Sequence, residues 1–396
     1  MTTIIEKSVE KRLHLPYLDG LRGLASLYIV LVHIEPSIGG QLPILWSLFG
    51  EIMKYGAFSV VIFIVLSGYV LMLPVARSEN GQLSGSFMNY IKKRARRILP
   101  PYYITLLICL LLTAIILGLE KFTDFQWNAE AGLGAFSPRF SLMDVLLKIL
   151  LVHNLDSNSY LTINPPMWTI ATEWQIYFLF PLLLLPIWRR LGLSGVVIIT
   201  FLIGLTPVYL LNGLFESANP WFLCIFCLGM AAADIGFSQK PNLVAIRNSL
   251  PWGWLSIIFT CMAVITEWRR LGLHIWINQT FVSLGFACLV IFLTKSIIED
   301  KKPSLVLRIL QHPLAIALGT FSYSLYLTHG PVLVFVRYFL FYLPISPDMF
   351  AAGCYLLGTL ISLIIAYCFY LFFERPFMSN FLKKRKIKDV VISSKS

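Results

Sequence analysis

Ten stretches of this chain are long and apolar enough to cross a lipid bilayer, and they leave little sequence for anything else. They run approximately over residues 16–34, 58–74, 101–119, 168–188, 193–211, 219–236, 251–268, 277–298, 313–333 and 348–373. A hydrocarbon core about 30 Å thick needs roughly 20 residues of helix to span it, and a backbone with no water to bond must satisfy itself internally. With 57% hydrophobic and only 13% charged residues, the chain has more apolar surface than a soluble core can hide. The expectation is an all-α, polytopic transmembrane bundle of about ten spans. It forms a single domain over residues 1–380, with a basic tail over 381–396.

Charge placement gives the bundle a direction. Most of the 32 lysines and arginines fall on the side that holds both termini, including Lys92, Lys93, Arg94, Arg96, Arg97 and the run Lys383 to Lys386. The opposite side keeps only Lys54, Lys121, Arg139, Lys148, Arg269, Arg270 and Arg337. By the positive-inside bias both termini are cytoplasmic. The net charge of +12 is then a product of topology and membrane-lipid contact, and calls for no nucleic acid. No cleavable leader is expected, because the charged N-terminus runs straight into a span that retains Asp19 and Arg22. All seven cysteines lie in apolar spans, so Cys224 and Cys227 read as packing residues rather than a metal or redox pair. Between the third and fourth spans, residues 142–152 form a short amphipathic segment that suits the membrane surface or a re-entrant turn.

Ionisable groups inside spans are costly against lipid and face a bundle interior or a wet cavity. Arg22 and His33 lie eleven residues apart in the first span, which returns them to nearly one helix face about 16 Å apart along the axis. Arg22 also has Asp19 one turn earlier as a local partner. Glu173, counted from the outer end of the fourth span, is expected at the depth of His33, where a carboxylate would orient the imidazole as a base. His329 reaches the same layer, with Tyr323 and Tyr326 at helical spacing below it. On the cytoplasmic side, five cations within Lys92 to Arg97 exceed what orientation requires, and guanidinium groups suit phosphate oxygens.

These residues occur in a pattern that resembles the acyltransferase-3 family of integral membrane O-acyltransferases, the O-antigen acetylase type. The resemblance rests on Arg22 and His33 within Leu18-Asp-Gly-Leu-Arg-Gly23, on Phe63-Ile-Val-Leu-Ser-Gly-Tyr69, and on Arg94 with Arg97. It continues in Trp168-Thr-Ile-Ala-Thr-Glu173 with Tyr177 and Pro181, and in Ser322-Tyr-Ser-Leu-Tyr-Leu-Thr-His329. Ile64 and Thr169 stand where the family often has Phe and Ser.

The resemblance implies transfer of an acyl group, commonly acetyl, from cytoplasmic acyl-CoA to a hydroxyl of a cell-surface glycan or similar acceptor. By that similarity His33 takes the role of the essential catalytic histidine, Arg22 is its partner in the same helix, and Arg94 and Arg97 are the donor-side contacts; depth and charge add Glu173 beside His33 and Arg22 toward the donor. Trp168, Tyr323, Tyr326 and His329 are candidate acceptor or oxyanion contacts. Acyl-CoA is a co-substrate; no permanently bound cofactor or metal is expected, nor the extracytoplasmic hydrolase-like domain that many relatives carry. The cell's inner or plasma membrane is the expected location. Direct transfer by a basic His33 and transfer through an acyl-imidazole both fit. A proton-coupled transporter or flippase, with Arg22, His33 and Glu173 as a relay, is the alternative from another class.

Overall fold

The computed structural model describes residues 15–378 other than 39, 41, 79, 84, 269 and 270. The basic tail over 381–396, the N-terminal cations and the Arg269–Arg270 pair lie outside the described residues. The fold is an all-helical membrane bundle. Its elements are α1 (Pro16–Val32), α2 (Ile44–Met53), α3 (Gly56–Ala76), α4 (Phe87–Phe122), α5 (Leu142–Ile149), α6 (Met167–Leu179), α7 (Leu185–Tyr209) and α8 (Phe222–Phe237). They are followed by α9 (Pro241–Ser249), α10 (Trp252–Thr266), α11 (Ile275–Ile298), α12 (Leu305–Leu310), α13 (Pro313–Thr320), α14 (Ser322–Phe341) and α15 (Pro347–Phe369).

Each of the ten apolar stretches coincides with one of these helices or with a run of two. Among the described residues, seven helical runs are long and apolar enough to cross a membrane, or eight if α9 and α10, bent by 71°, form one crossing. The difference from ten has identifiable sources. α1 has 17 residues, α10 has 15, and α6 with α7 counts as one run from Met167 to Tyr209. That run is not straight. A π-helical turn over Phe180–Leu184 carries Pro181, and Gly192 breaks α7 with φ 72° and ψ −167°, the usual causes of a kink.

Local chemistry sets several boundaries. Ser86 caps α4 by accepting from the Asn89 amide, and Ser141 with Asp144 forms a capping box at the start of α5. Pro16 opens α1, where its missing N–H is not needed. α2 was not among the apolar stretches read as spans. It presents Ile44, Leu45, Leu48 and Ile52 outward, as a helix lying in lipid would.

The bundle closes where backbones touch. Between α3 and α8, a Cβ on Gly68 would sit 2.0 Å from the Phe226 carbonyl oxygen, and one on Gly229 would sit 2.0 Å from that of Val65. Small residues at such crossings replace the hydrophobic drive that lipid does not supply. The same contact ties α1 to its neighbours, since a Cβ on Gly20 would meet the Leu310 carbonyl and one on Gly319 the Asp19 carbonyl. A buried hydroxyl cluster pins α1, α3 and α11 together. Thr294 Oγ1 lies 2.8 Å from the Tyr17 hydroxyl and 2.7 Å from that of Tyr69.

The stretch between α4 and α6 folds into the bundle. Lys148 of α5 is wholly buried, and its carbonyl accepts from the Tyr102 hydroxyl of α4 at 2.8 Å. Asn164 donates to the Leu327 carbonyl at 2.9 Å, and Gly330 lets the Ala135 carbonyl approach α14. The chain therefore enters α6 from within the bundle.

Gly229→Val is expected to destabilise the bundle by roughly 1–3 kcal/mol through overpacking, read as a lowered Tm in detergent. Gly118→Val, where nothing lies within 4 Å of an added Cβ, serves as the matched control. Equal melting of the two variants would contradict the crossing described.

Candidate functional site

His33 caps the C-terminal end of α1, its backbone N–H bonded to the Ile29 and Val30 carbonyls. Its Nδ1 lies 3.0 Å from Nε2 of His329, a fully buried residue of α14, and the two rings stack with centroids 5.0 Å apart. His329 Nδ1 faces the Leu325 carbonyl at 3.1 Å. A carbonyl only accepts, so in the neutral pair His329 carries its proton on Nδ1 and presents a bare Nε2. His33 must then donate from Nδ1, which leaves its Nε2 lone pair free. One backbone carbonyl thus fixes the tautomer of two histidines.

Glu173 is not the partner of His33. Its Oε1 accepts from the Ser67 and Tyr177 hydroxyls. The expectation of a shared depth fails because it counted Glu173 from the outer membrane interface. α6 instead starts deep, with Asn164 already bonded at Leu327 near the histidine layer. Thr169, Glu173 and Tyr177 recur every four residues on one face of α6, and each step carries the chain about 6 Å further from the histidines.

That face lines a cavity of about 120 Å³, shared with Arg22, Arg94, Arg97, Ser67 and Tyr323. Arg22 keeps the local ion pair to Asp19, at 3.1 Å. No carboxylate lies within ion-pair distance of Arg94 or Arg97 among the described residues, and the buried Nε of Arg94 has no hydrogen-bond partner. The cavity thus holds three guanidinium groups against one carboxylate that is already occupied by hydroxyls. Such a site favours an anion.

Toward the histidines the cavity is lined by Phe63, Thr169 and Tyr326. The Thr169 and Tyr326 hydroxyls are bonded to one another, and the Phe63 ring packs on Tyr326 with centroids 5.9 Å apart. Tyr326 in turn lies 6.0 Å from the His329 ring. The order along the bundle is therefore arginines, then Tyr326, then the histidine pair. Tyr323 belongs to the arginine half, its hydroxyl donating to the Ile98 carbonyl at 2.9 Å. Trp168 packs on Phe222 and lies outside the cavity wall.

Two groups that sequence reading passed over hold this arrangement. Glu374, in the π-helical turn Tyr370–Glu374 after α15, is buried and accepts from the amide and hydroxyl of Ser324 at the first turn of α14. A carboxylate there complements the helix N-terminus. Arg337, counted only as an outer basic residue, is 3% exposed and donates to the carbonyls of Glu35 at 2.9 Å, Ser37 at 2.8 Å, Ala131 at 2.7 Å, and Glu130. It ties the segment just after His33 to the stretch that covers α14. Among the described residues, no group of three His, Cys, Asp or Glu side chains is placed to hold a metal ion.

A family model described as an acyltransferase domain matches residues 15–371. The O-acetyltransferase OatA of Staphylococcus aureus strain NCTC 8325 is 24% identical over 409 residues, covering 96% of this chain and 61% of the relative. A putative O-acetyltransferase, SACOL0978 of strain COL, is 24% identical over 400 residues, covering 94% of this chain and 59% of its own. The chain thus spans about three fifths of the length of these relatives. No solved structure matches it.

Nitrogen-15 spectra of histidine-labelled protein above pH 8 are expected to report Nδ1–H tautomers for both His33 and His329. An Nε2–H on His329 would reverse the proton's direction between the rings and leave His33 without its free Nε2.

Proposed function

The chain belongs to the acyltransferase-3 family, and on that premise we propose that it moves an acyl group, acetyl in the first instance, from cytoplasmic acyl-CoA to a hydroxyl of a cell-surface glycan. One observation carries the reading: a cavity with three guanidinium groups stands in line with a histidine whose Nε2 is free, with Tyr326 between them. The arginine side is then the cytoplasmic side, in keeping with the charge bias of the sequence. The membrane would be the cell's inner or plasma membrane.

Arg94 and Arg97, with Arg22 deeper in the cavity, hold the donor phosphates in this scheme. The thin pantetheine arm points along the bundle toward Tyr326 and brings its thioester to His33. Nε2 of His33 takes the proton of the acceptor hydroxyl as the oxygen attacks the thioester carbonyl. The carbon–sulfur bond breaks, and the leaving thiolate recovers the proton. The role of His329 is positional: it accepts from Nδ1–H of His33 and so keeps Nε2 as the basic nitrogen, much as an orienting group serves any catalytic histidine. Glu173 acts in the donor half, where its charge offsets the arginines when no donor is bound.

The place of Tyr326 between the arginines and the histidines also fits a two-step version, in which Nε2 attacks the thioester, the CoA thiolate leaves, and the acyl group is carried to an acceptor arriving later. The two versions differ in a simple readout. With labelled acetyl-CoA and no acceptor, only the two-step route leaves label on His33.

In proteoliposomes given labelled acetyl-CoA and a hydroxyl acceptor, His33→Ala is expected to lower transfer by roughly 10²- to 10⁴-fold, the usual contribution of a general base. Undiminished transfer by a folded variant would remove His33 from the reaction. The double variant Arg94→Ala, Arg97→Ala should raise the KM for the donor more than it lowers kcat; an unchanged KM would remove the arginines from donor binding. The acceptor is identified by comparing acetyl content of surface glycans between parent and deletion strains.

A further inference from the structure

The arginine cavity is too small for a whole acyl-CoA. Its volume of about 120 Å³ is well under the roughly 300–1,000 Å³ of a typical small-molecule pocket. A second cavity, of about 600 Å³, falls within that range and opens on the same side of the bundle. The two are joined by one helix face. Val60, Ile64, Ser67 and Leu71 of α3 line the first, and Val75 with Ser78 continues the same stripe into the second. From Leu71 to Val75 is one turn, about 6 Å along the axis.

The wall of the second cavity is basic and aromatic. Arg77, Arg189 and Lys240 line it, and Trp188 forms its buried side. The indole is fixed in place: its Nε1–H donates to Asp234 at 2.8 Å, and Lys240 Nζ lies 4.7 Å from the ring centroid. Arg189 donates from Nε to the Gly81 carbonyl at 3.1 Å. Asp234 is the acidic residue in this wall, it is buried, and one of its oxygens is taken by the indole. Glu79, next to Ser78, lies outside the described residues.

We propose that this second cavity binds the adenosine 3′-phosphate end of the donor, with Arg77, Arg189 and Lys240 facing the 3′-phosphate while Arg94 and Arg97 hold the diphosphate in the first cavity. The inference rests on acyl-CoA being the donor and adds where its nucleotide lies. Cations on this side of a membrane protein also meet anionic headgroups, so the phosphate chemistry is shared between a nucleotide and a lipid. Size and position separate them. The cavity is walled by Trp188 and continuous with the α3 face that leads to the arginines, which suits one elongated ligand occupying both.

The test compares binding of CoA and 3′-dephospho-CoA to the full chain in phosphatidylcholine nanodiscs by calorimetry. Wild type is expected to prefer CoA by roughly tenfold or more, the effect of one charge-assisted hydrogen bond. The double variant Arg189→Gln, Lys240→Gln should reduce that preference to less than about threefold. Equal binding of both nucleotides by wild type would overturn the assignment without needing any variant. A preference retained in the variant would overturn it too. If added phosphatidylglycerol occupies the cavity while wild type shows no preference between the nucleotides, the pocket is a headgroup site and the inference fails. If wild type binds neither nucleotide, the donor reading itself fails.

Discussion

A guanidinium group inside a bilayer must be given oxygen atoms, and the two ways this protein meets that requirement divide its structure. Arg337 is met by the protein alone: four backbone carbonyls from two segments surround it. Its charge is spent on holding those segments over the end of α14. Arg94 is met by nothing the chain supplies at its buried Nε, and neither it nor Arg97 has a carboxylate within ion-pair reach among the described residues. Arg94 is half-buried and Arg97 exposed, so it is the buried Nε of Arg94 that lacks a partner, and a buried donor left unmatched is costly. The first kind of arginine builds the fold, and the second kind is the one the proposed function gives to the donor. Arg22 stands between them, paired with Asp19 yet facing the same cavity.

Most of the helical plan was legible because hydrocarbon imposes a length and a polarity that a sequence must obey. Each long apolar stretch became a helix, and Arg22, Arg94 and Arg97 converged on one cavity. What failed was depth. Glu173 was measured from the membrane surface, whereas α6 begins beside Leu327 after the preceding stretch has folded inward. That inward path depends on Asn164, Gly330 and Arg337 acting across some two hundred residues of sequence, which no local pattern records. The pairing of His33 with His329 followed from the same long-range arrangement. Glu374 escaped notice for another reason: a lone carboxylate near a membrane boundary has no signature until the start of α14 is known to face it.

Function on this reading is a matter of sequence along an axis rather than of a single cluster. The arginines, the Tyr326 layer and the histidine pair occupy successive depths, and α1, α6 and α14 each contribute to more than one of them. Glycine contacts hold α1 at backbone distance from α12 and α13, Gly20 against the Leu310 carbonyl and Gly319 against that of Asp19, and Gly330 does the same for α14 and the stretch that leads into α6. The chemistry depends on that alignment because an imidazole with a free Nε2 is useful only where a reacting carbonyl arrives.

The contact among Phe63, Thr169 and Tyr326 has an electrical meaning. Any route that lets a polar arm pass between the two halves of a membrane is also a route for protons and ions, and the potential across a membrane exacts about 2.3 kcal/mol per charge per 100 mV. Here the Thr169 and Tyr326 hydroxyls bond to one another, Thr169 also reaches the Pro166 carbonyl at 3.2 Å, and the Phe63 ring packs on Tyr326, so these hydroxyls have partners without water. On the proposed reading, a donor arm that reaches His33 has to part this same contact, so the cost of opening it falls on the reaction.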